Sequence, residues 1–353
     1  MIDIHESMVQ MTLRVIAKAL FNSDFGELID QMHGLATTGV RAASSLNRLG
    51  LVGALPPPVW AVLAKVAFAE KPPPPPLSVL HHVVSGLDRG VNAIADERIA
   101  HPTQNVDLLN MMLDAEGEPW PRKRVRDEAL TFLLAGHETT ANSLSWFWYL
   151  MALHPDARAR MLDEIDTVLA GRPIHADDLA SLPWTTACLD EAQRYYPAVS
   201  LLTRTAIVDD LIDGHRVRRG TSVMIPIYAI HHDERFWDRP EEFPPPRAVP
   251  ARWRQAAPVA YLPFGGGRRR CIGQTFALME MVAVVATMTQ EFVFDLEPGH
   301  PVEIEQSMTL RPKHGIRVVA RRRTSRRQAA PSTANNDQRA SGGAVRCPKG
   351  SGA

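Results

Sequence analysis

Cysteine is scarce in this chain. Its 353 residues hold three, Cys188, Cys271 and Cys347, with neither a disulfide framework nor zinc-ligand spacing. Net charge is absent too: 39 Lys and Arg balance 39 Asp and Glu, which removes any general attraction to nucleic acid. No basic segment and apolar core open the sequence, where Met1 is followed by Asp3, His5 and Glu6. Polar residues interrupt every long apolar run, so no transmembrane anchor is expected. The expectation is a cytoplasmic protein kept reduced. Aromatic residues are missing from 321–353, where eight Arg or Lys stand against one Asp and Val345 is the only large aliphatic. Such a segment buries too little to fold and reads as a basic disordered tail. Residues 1–320 then carry the fold.

What is present is mostly helical periodicity. Residues 3–21 read as an amphipathic helix, with Met8, Leu13, Ile16 and Leu20 near helical spacing. A second helical stretch is expected from Phe25 to Leu49, and another from Leu77 to Ile99. Between these two, the proline runs at 56–58 and 72–76 cannot continue a helix and bracket a short apolar segment. Val125 to Leu153 predicts the longest helix, apolar on all sides and therefore buried. Pro155 suits the first position of the next helix. A helix over 182–196 stops at Pro197, and short β pieces with turns at Asp213-Gly214 and Arg219-Gly220 follow. An apolar stretch from Ile272 to Phe294 and a β segment around Val302 to Val319 close the pattern. The fold class expected is mainly α with small β-sheets.

Two strings carry chemistry. Phe264-Gly-Gly-Gly-Arg-Arg-Arg-Cys271-Ile-Gly273 puts one cysteine on a glycine-rich loop at the threshold of a helix. Backbone N–H groups and the helix dipole would favour a thiolate there, and the flanking arginines suit carboxylate partners. Taken singly, the cysteine reads equally well as a structural thiol beside a surface turn. The second string, Ala135-Gly-His-Glu-Thr-Thr140, sets polar residues in the middle of the long apolar helix, a costly arrangement unless they are partnered. Threonine hydroxyls can be satisfied locally by the preceding turn. Gly136 would also let another group approach the backbone closely, and Glu138-Thr139 sets an acid beside an alcohol, as proton delivery requires.

Together the strings resemble the cytochrome P450 family of haem-thiolate monooxygenases. Phe264, Gly267, Arg269, Cys271 and Gly273 fit F-x-x-G-x-R-x-C-x-G, and 135–140 fits A-G-x-E-T-T. The resemblance implies that Cys271 is the axial ligand of the haem iron. It assigns Arg269, Phe264, Gly265, Gly273 and Arg204 to haem binding, with both arginines on the propionates. Glu138 becomes the proton relay and Thr139 the oxygen-side hydroxyl. Glu191 and Arg194, three apart on one helix face, match the family's E-x-x-R pattern. In isolation they read as an ordinary surface pair; with Arg247 they would form a structural network. His231 also resembles a family position.

The same resemblance implies a soluble bacterial type of cytochrome P450 fold whose N-terminal helices and sheet are missing from this sequence. The expected cofactor is haem b, iron protoporphyrin IX. The expected reaction inserts one oxygen atom of O2 into a hydrophobic small molecule, by hydroxylation or epoxidation. Ferredoxin and a ferredoxin reductase would supply electrons, because no flavin or iron–sulfur motif occurs. The substrate face would be lined by the long helix before Ala135, by Ala198 to Leu202, and by Ser307 and Met308. A rival from another class is a truncated, non-catalytic remnant with weak haem binding or a partner-binding role.

Overall fold

The computed structural model describes residues 1–22, 34–35, 38, 77–103, 107–114, 120–243, 259–306 and 309–323. In chain order the helices are α1 (Ile4–Phe21), α2 (Leu77–Ala100), α3 (Leu108–Leu113), α4 (Arg122–Leu153), α5 (Pro155–Leu169), α6 (Pro183–Tyr195), α7 (Ile227–His231) and α8 (Gln274–Glu291). The strands are β1 (Ile2–Asp3), β2 (Leu202–Thr205), β3 (Asp210–Ile212), β4 (His215–Val217), β5 (Ser222–Ile225), β6 (Phe292–Leu296), β7 (Ile304–Gln306), β8 (Leu310–Pro312) and β9 (Arg317–Arg322). Among the described residues the named strands pair antiparallel: a β1-β9-β6 sheet and the two-stranded β2-β5, β3-β4 and β7-β8. The mainly helical expectation holds.

Local chemistry sets several boundaries. Asp3 caps α1, its Oδ1 accepting from His5 N at 3.0 Å. Pro155 occupies the first turn of α5, as its missing N–H permits. Glu164 on α5 reaches across to accept from the N–H groups of Trp184 and Thr185 at 2.7 and 2.8 Å, satisfying the start of α6. The apolar run beginning at Ile272 does not stay helical to Phe294. Helix α8 ends at Glu291, and Phe292 turns into β6, whose register puts Phe294 opposite Ala320. Most of the stretch 25–49, and all of 56–76, lie outside the described residues.

Helices α1 and α4 form the central pair. His5 meets Ser145 at 3.0 Å, Thr12 Oγ1 donates to the His137 carbonyl at 2.9 Å, and Ile16 lies against Gly136. Partners thus run in opposite directions, and the helices are antiparallel. One core cluster gathers Ile4 and Met8 with Ala141 to Met151 and the inner faces of α5, α6 and α8. A second gathers Leu13 to Phe21 with α2, α3 and the first turns of α4. Gly136 serves this packing: a Cβ there would sit 2.9 Å from Ile16 Cγ1. Gly136→Ala is therefore expected to destabilise by about 1 kcal/mol, overpacking outweighing the helix-propensity gain. Thermal unfolding checks this, and Ile16→Ala should cancel the clash.

At the C-terminal end, β9 continues through Arg322, and Arg323 donates to Asp166 at 2.6 Å. Residues 321–323 therefore belong to the fold, which moves the expected boundary beyond 320. Residues 324–353 lie outside the described ones.

Candidate active site

The cysteine loop is shaped by two glycines with positive φ, Gly265 at 69° and Gly267 at 66°, where a side chain would strain the backbone. Gly265 N donates to the Leu262 carbonyl at 3.0 Å, and Cys271 N to the Phe264 carbonyl at 3.0 Å. A 3-10 turn, Gly267–Arg269, carries the chain across. Phe264 anchors the loop against the main core. Cys271 itself is exposed, three residues before the first residue of α8. The Sγ lies 3.9 Å from where a Cβ on Gly273 would stand, an ordinary van der Waals distance. Cys188 is the opposite case. It is fully buried in α6, and desolvation pushes its thiol up to about 12, so it stays neutral.

Helix α4 supplies the facing wall. Most of its second half is buried, but Leu134 and Ala135 are exposed and Glu138 and Thr139 partly so. This leaves an open stripe on one side. Thr139 Oγ1 donates to the Ala135 carbonyl at 2.8 Å. Its lone pairs remain able to accept. Glu138 Oε1 accepts from Thr309 Oγ1 at 2.7 Å, and Thr309 Oγ1 in turn accepts from Asn142 Nδ2 at 3.1 Å. Nothing in the sequence marks Thr309 or Asn142, because a bridge across 167 positions follows only from the fold.

A run of contacts joins the two walls. Thr309 holds Glu138, and Leu310 N donates to the Ala198 carbonyl at 2.8 Å. Strand β2 follows Ala198, and its Leu202 Cδ1 stands 3.4 Å from a Cβ position on Gly265. Ala198 and Leu202, two of the residues expected on the substrate face, lie along this run; Ser307 and Met308 lie outside the described residues. Arg204 is exposed on β2, where it donates to its neighbour's carbonyl, Thr203 O, at 2.9 Å. Arg269 is exposed on the loop. Among the described residues, neither guanidinium meets a carboxylate.

Beneath the loop, Arg194 is 1% exposed, so it is no surface residue. Its Nε and Nη2 donate to Glu191 Oε1 at 2.9 and 2.7 Å, its Nη1 to the His231 carbonyl at 2.8 Å, and its Nη2 also to the Glu242 carbonyl at 3.1 Å. Two backbone carbonyls thus complete the shell; Arg247 lies outside the described residues. His231, fully buried, links this shell to the cysteine loop: Nδ1 donates to the Arg194 carbonyl at 3.1 Å, and Nε2 accepts from Leu262 N at 2.9 Å. Desolvation lowers its pKa to about 3, fixing a neutral ring. Sequence reading also missed Glu280 on α8. Both its oxygens are buried without a hydrogen-bond partner, and desolvation raises it to about 8.

A haem asks for a reachable sulfur, cations for two propionates and apolar walls. An exposed Cys271, Arg269 and Arg204 without acidic partners among the described residues, and the Leu134, Ala135 and Leu202 side chains meet these demands. The residues fit the group. No cluster of three His, Cys, Asp or Glu that could hold a bare metal ion exists among the described residues, nor does a helix long and apolar enough to cross a membrane.

Comparison with known proteins points the same way. A family model described as Cytochrome P450 matches residues 1–319. A relative from Mycobacterium tuberculosis named cytochrome P450 132 is 56% identical over 321 residues, 91% of this chain and 69% of the relative. The mouse leukotriene-B4 omega-hydroxylase 3 is 36% identical over 225 residues, 62% of this chain and 43% of that protein. Among solved structures, the cytochrome P450DA heme domain superposes with a TM-score of 0.76 at 27% identity, covering 91% of this chain and 68% of that one.

Proposed function

The chain belongs to the cytochrome P450 family of haem monooxygenases, and from that premise we propose that it hydroxylates an apolar small molecule at a centre held by Cys271. The exposed sulfur on a glycine-shaped loop, set against a buried and neutral Cys188, carries this reading. Haem b is the proposed form. The sequence has no C-x-x-C-H string to attach a haem covalently. Hydroxylation is preferred to epoxidation because one relative is named an omega-hydroxylase. Exposed Arg268 and Arg270 beside the loop suit a small acidic electron donor, for which a ferredoxin with its reductase is the proposal.

When bound through a thiolate, the haem supplies dioxygen activation, one oxygen atom going to substrate and the other leaving as water. The chain's own residues do the rest. Arg269 and Arg204 neutralise and orient the propionates. Leu134, Ala135 and Leu202 exclude water and hold the substrate by apolar contact. Glu138 takes a proton from solvent at its carboxylate and releases it inward, with the Thr139 hydroxyl as the acceptor beside it. Glu191, Arg194 and His231 keep the loop's underside rigid.

Expression with haem supplied, followed by reduction and carbon monoxide, tests the assignment. The parent should give a strongly red-shifted Soret band that Cys271→Ala lacks. Failure to take up haem, or a band typical of histidine or protonated-thiol ligation, would sink the proposal and favour a non-catalytic protein.

A further inference from the structure

Thr309 is buried, 6% exposed, and its hydroxyl lies between two residues one turn apart on α4. Oγ1 is 2.7 Å from Glu138 Oε1 and 3.1 Å from Asn142 Nδ2. A hydroxyl has one hydrogen to give. An ionised carboxylate can only accept and the amide nitrogen can only donate, so that hydrogen must point to Glu138. With the amide turned round, Asn142 Oδ1 would compete with a charged carboxylate for the same hydrogen and leave two acceptors facing each other. The observed setting has its own cost: Asn142 Oδ1 is buried without a partner. A buried orphan carbonyl calls for an explanation, and directing the Thr309 hydroxyl supplies one. Glu138 Oε2 has no partner among the described residues, so one carboxylate oxygen is tied and the other stays open.

We infer that Thr309 is a positioning residue for proton delivery, with Asn142 setting its direction: it clamps Glu138 through Oε1 and leaves Oε2 to take up and release the proton. The step moves one proton on and off a carboxylate and changes no other bond. The inference rests on the proposed relay role of Glu138.

Two measurements on the full chain test it without knowledge of the substrate. The first uses haem-loaded protein reduced with dithionite and mixed with air-saturated buffer. Its rate of re-oxidation, and the effect of D2O on that rate, should fall several-fold in Thr309→Val and to the same level in Glu138→Gln, while Thr309→Ser stays like the parent. The second uses haem-free protein. Thermal unfolding should show that the Thr309→Val and Glu138→Ala effects are not additive, since each removes the same hydrogen bond. A Thr309→Val protein that re-oxidises like the parent, while Glu138→Gln is slow, overturns the clamp and leaves the relay role standing. A Glu138→Gln protein like the parent overturns the relay reading itself. Should valine prevent folding, Asn142→Ala, which removes the directing donor and leaves Thr309 and Glu138 in place, should give an intermediate rate; a parent-like rate would overturn the clamp.

Discussion

Arg194→Leu is expected to destabilise the protein by about 3–5 kcal/mol, because it strands the buried Glu191 carboxylate without its partner. Few other single changes should do as much. The guanidinium is 1% exposed and gives hydrogen bonds to Glu191, to the His231 carbonyl and to the Glu242 carbonyl. All are lost together, and the buried His231 carbonyl and the part-buried Glu242 carbonyl lose the guanidinium as well. Arg194→Lys should recover little, since an ammonium cannot span the same fork. Glu191→Gln should cost less, because a neutral amide oxygen still accepts. At roughly 2–4 °C per kcal/mol, Arg194→Leu should lower the melting temperature by roughly 10 °C. Calorimetry of haem-free protein reads this directly. A shift of only a degree or two would mean that the pair contributes no more than a surface ion pair.

A dome in stability against pH is the second large effect, built from two buried groups of opposite sign. His231 has its pKa lowered from 6.5 to about 3 by desolvation. The unfolded chain binds more protons in that window, so stability is lost as pH falls from 6.5 towards 3, at up to about 1.4 kcal/mol per unit. The loss has a specific cause. A proton on Nε2 would confront the Leu262 N–H that Nε2 now accepts, loosening the segment that leads into the cysteine loop. Glu280 is raised from 4.5 to about 8, again by desolvation. Its folded form holds the extra proton, so its contribution is full below 4.5 and is lost as pH rises through 8. Between 4.5 and 6.5 the two trends oppose each other. Lowered His5 and His232 add to the acid limb. Urea unfolding across pH 4–9 should show both limbs. Glu280→Gln should flatten the alkaline one, and His231→Gln should make the acid one shallower, each leaving the other limb in place. A profile unchanged by either substitution would discard the account.

Much of this was legible in the sequence, and the reasons differ by element. Helices α1, α4 and α5 announce themselves because their apolar spacing and caps are local: Asp3 and Pro155 act within one turn. The cysteine loop is legible because its glycines and arginines sit within ten consecutive residues. Glu191 and Arg194 share a helix face, and their spacing alone could not tell a surface pair from a buried one; burial comes from α7 and the loop packed over them. Thr309 and Asn142 were invisible for the same reason, since their meeting depends on where the β7–β8 hairpin lands. Gly136 was legible as a point of close approach to the backbone. Only the fold names the approaching group, Ile16 of another helix.

The pairing of β1 with β9 bears on how the protein is made. Ile2 faces Val318, and Ile4 N donates to the Ile316 carbonyl at 2.9 Å, so β1 is bound by a strand that leaves the ribosome much later. Closing a loop of that length carries an entropic cost of about 5 kcal/mol, which only the completed sheet can offset. At about 5–20 residues per second, roughly 15–60 s pass between the emergence of Asp3 and that of Arg317. Helix α1 can settle on α4 earlier in that interval, but the edge of β1 waits. Translation speed and chaperone supply should therefore govern the yield of folded protein more than its final stability does.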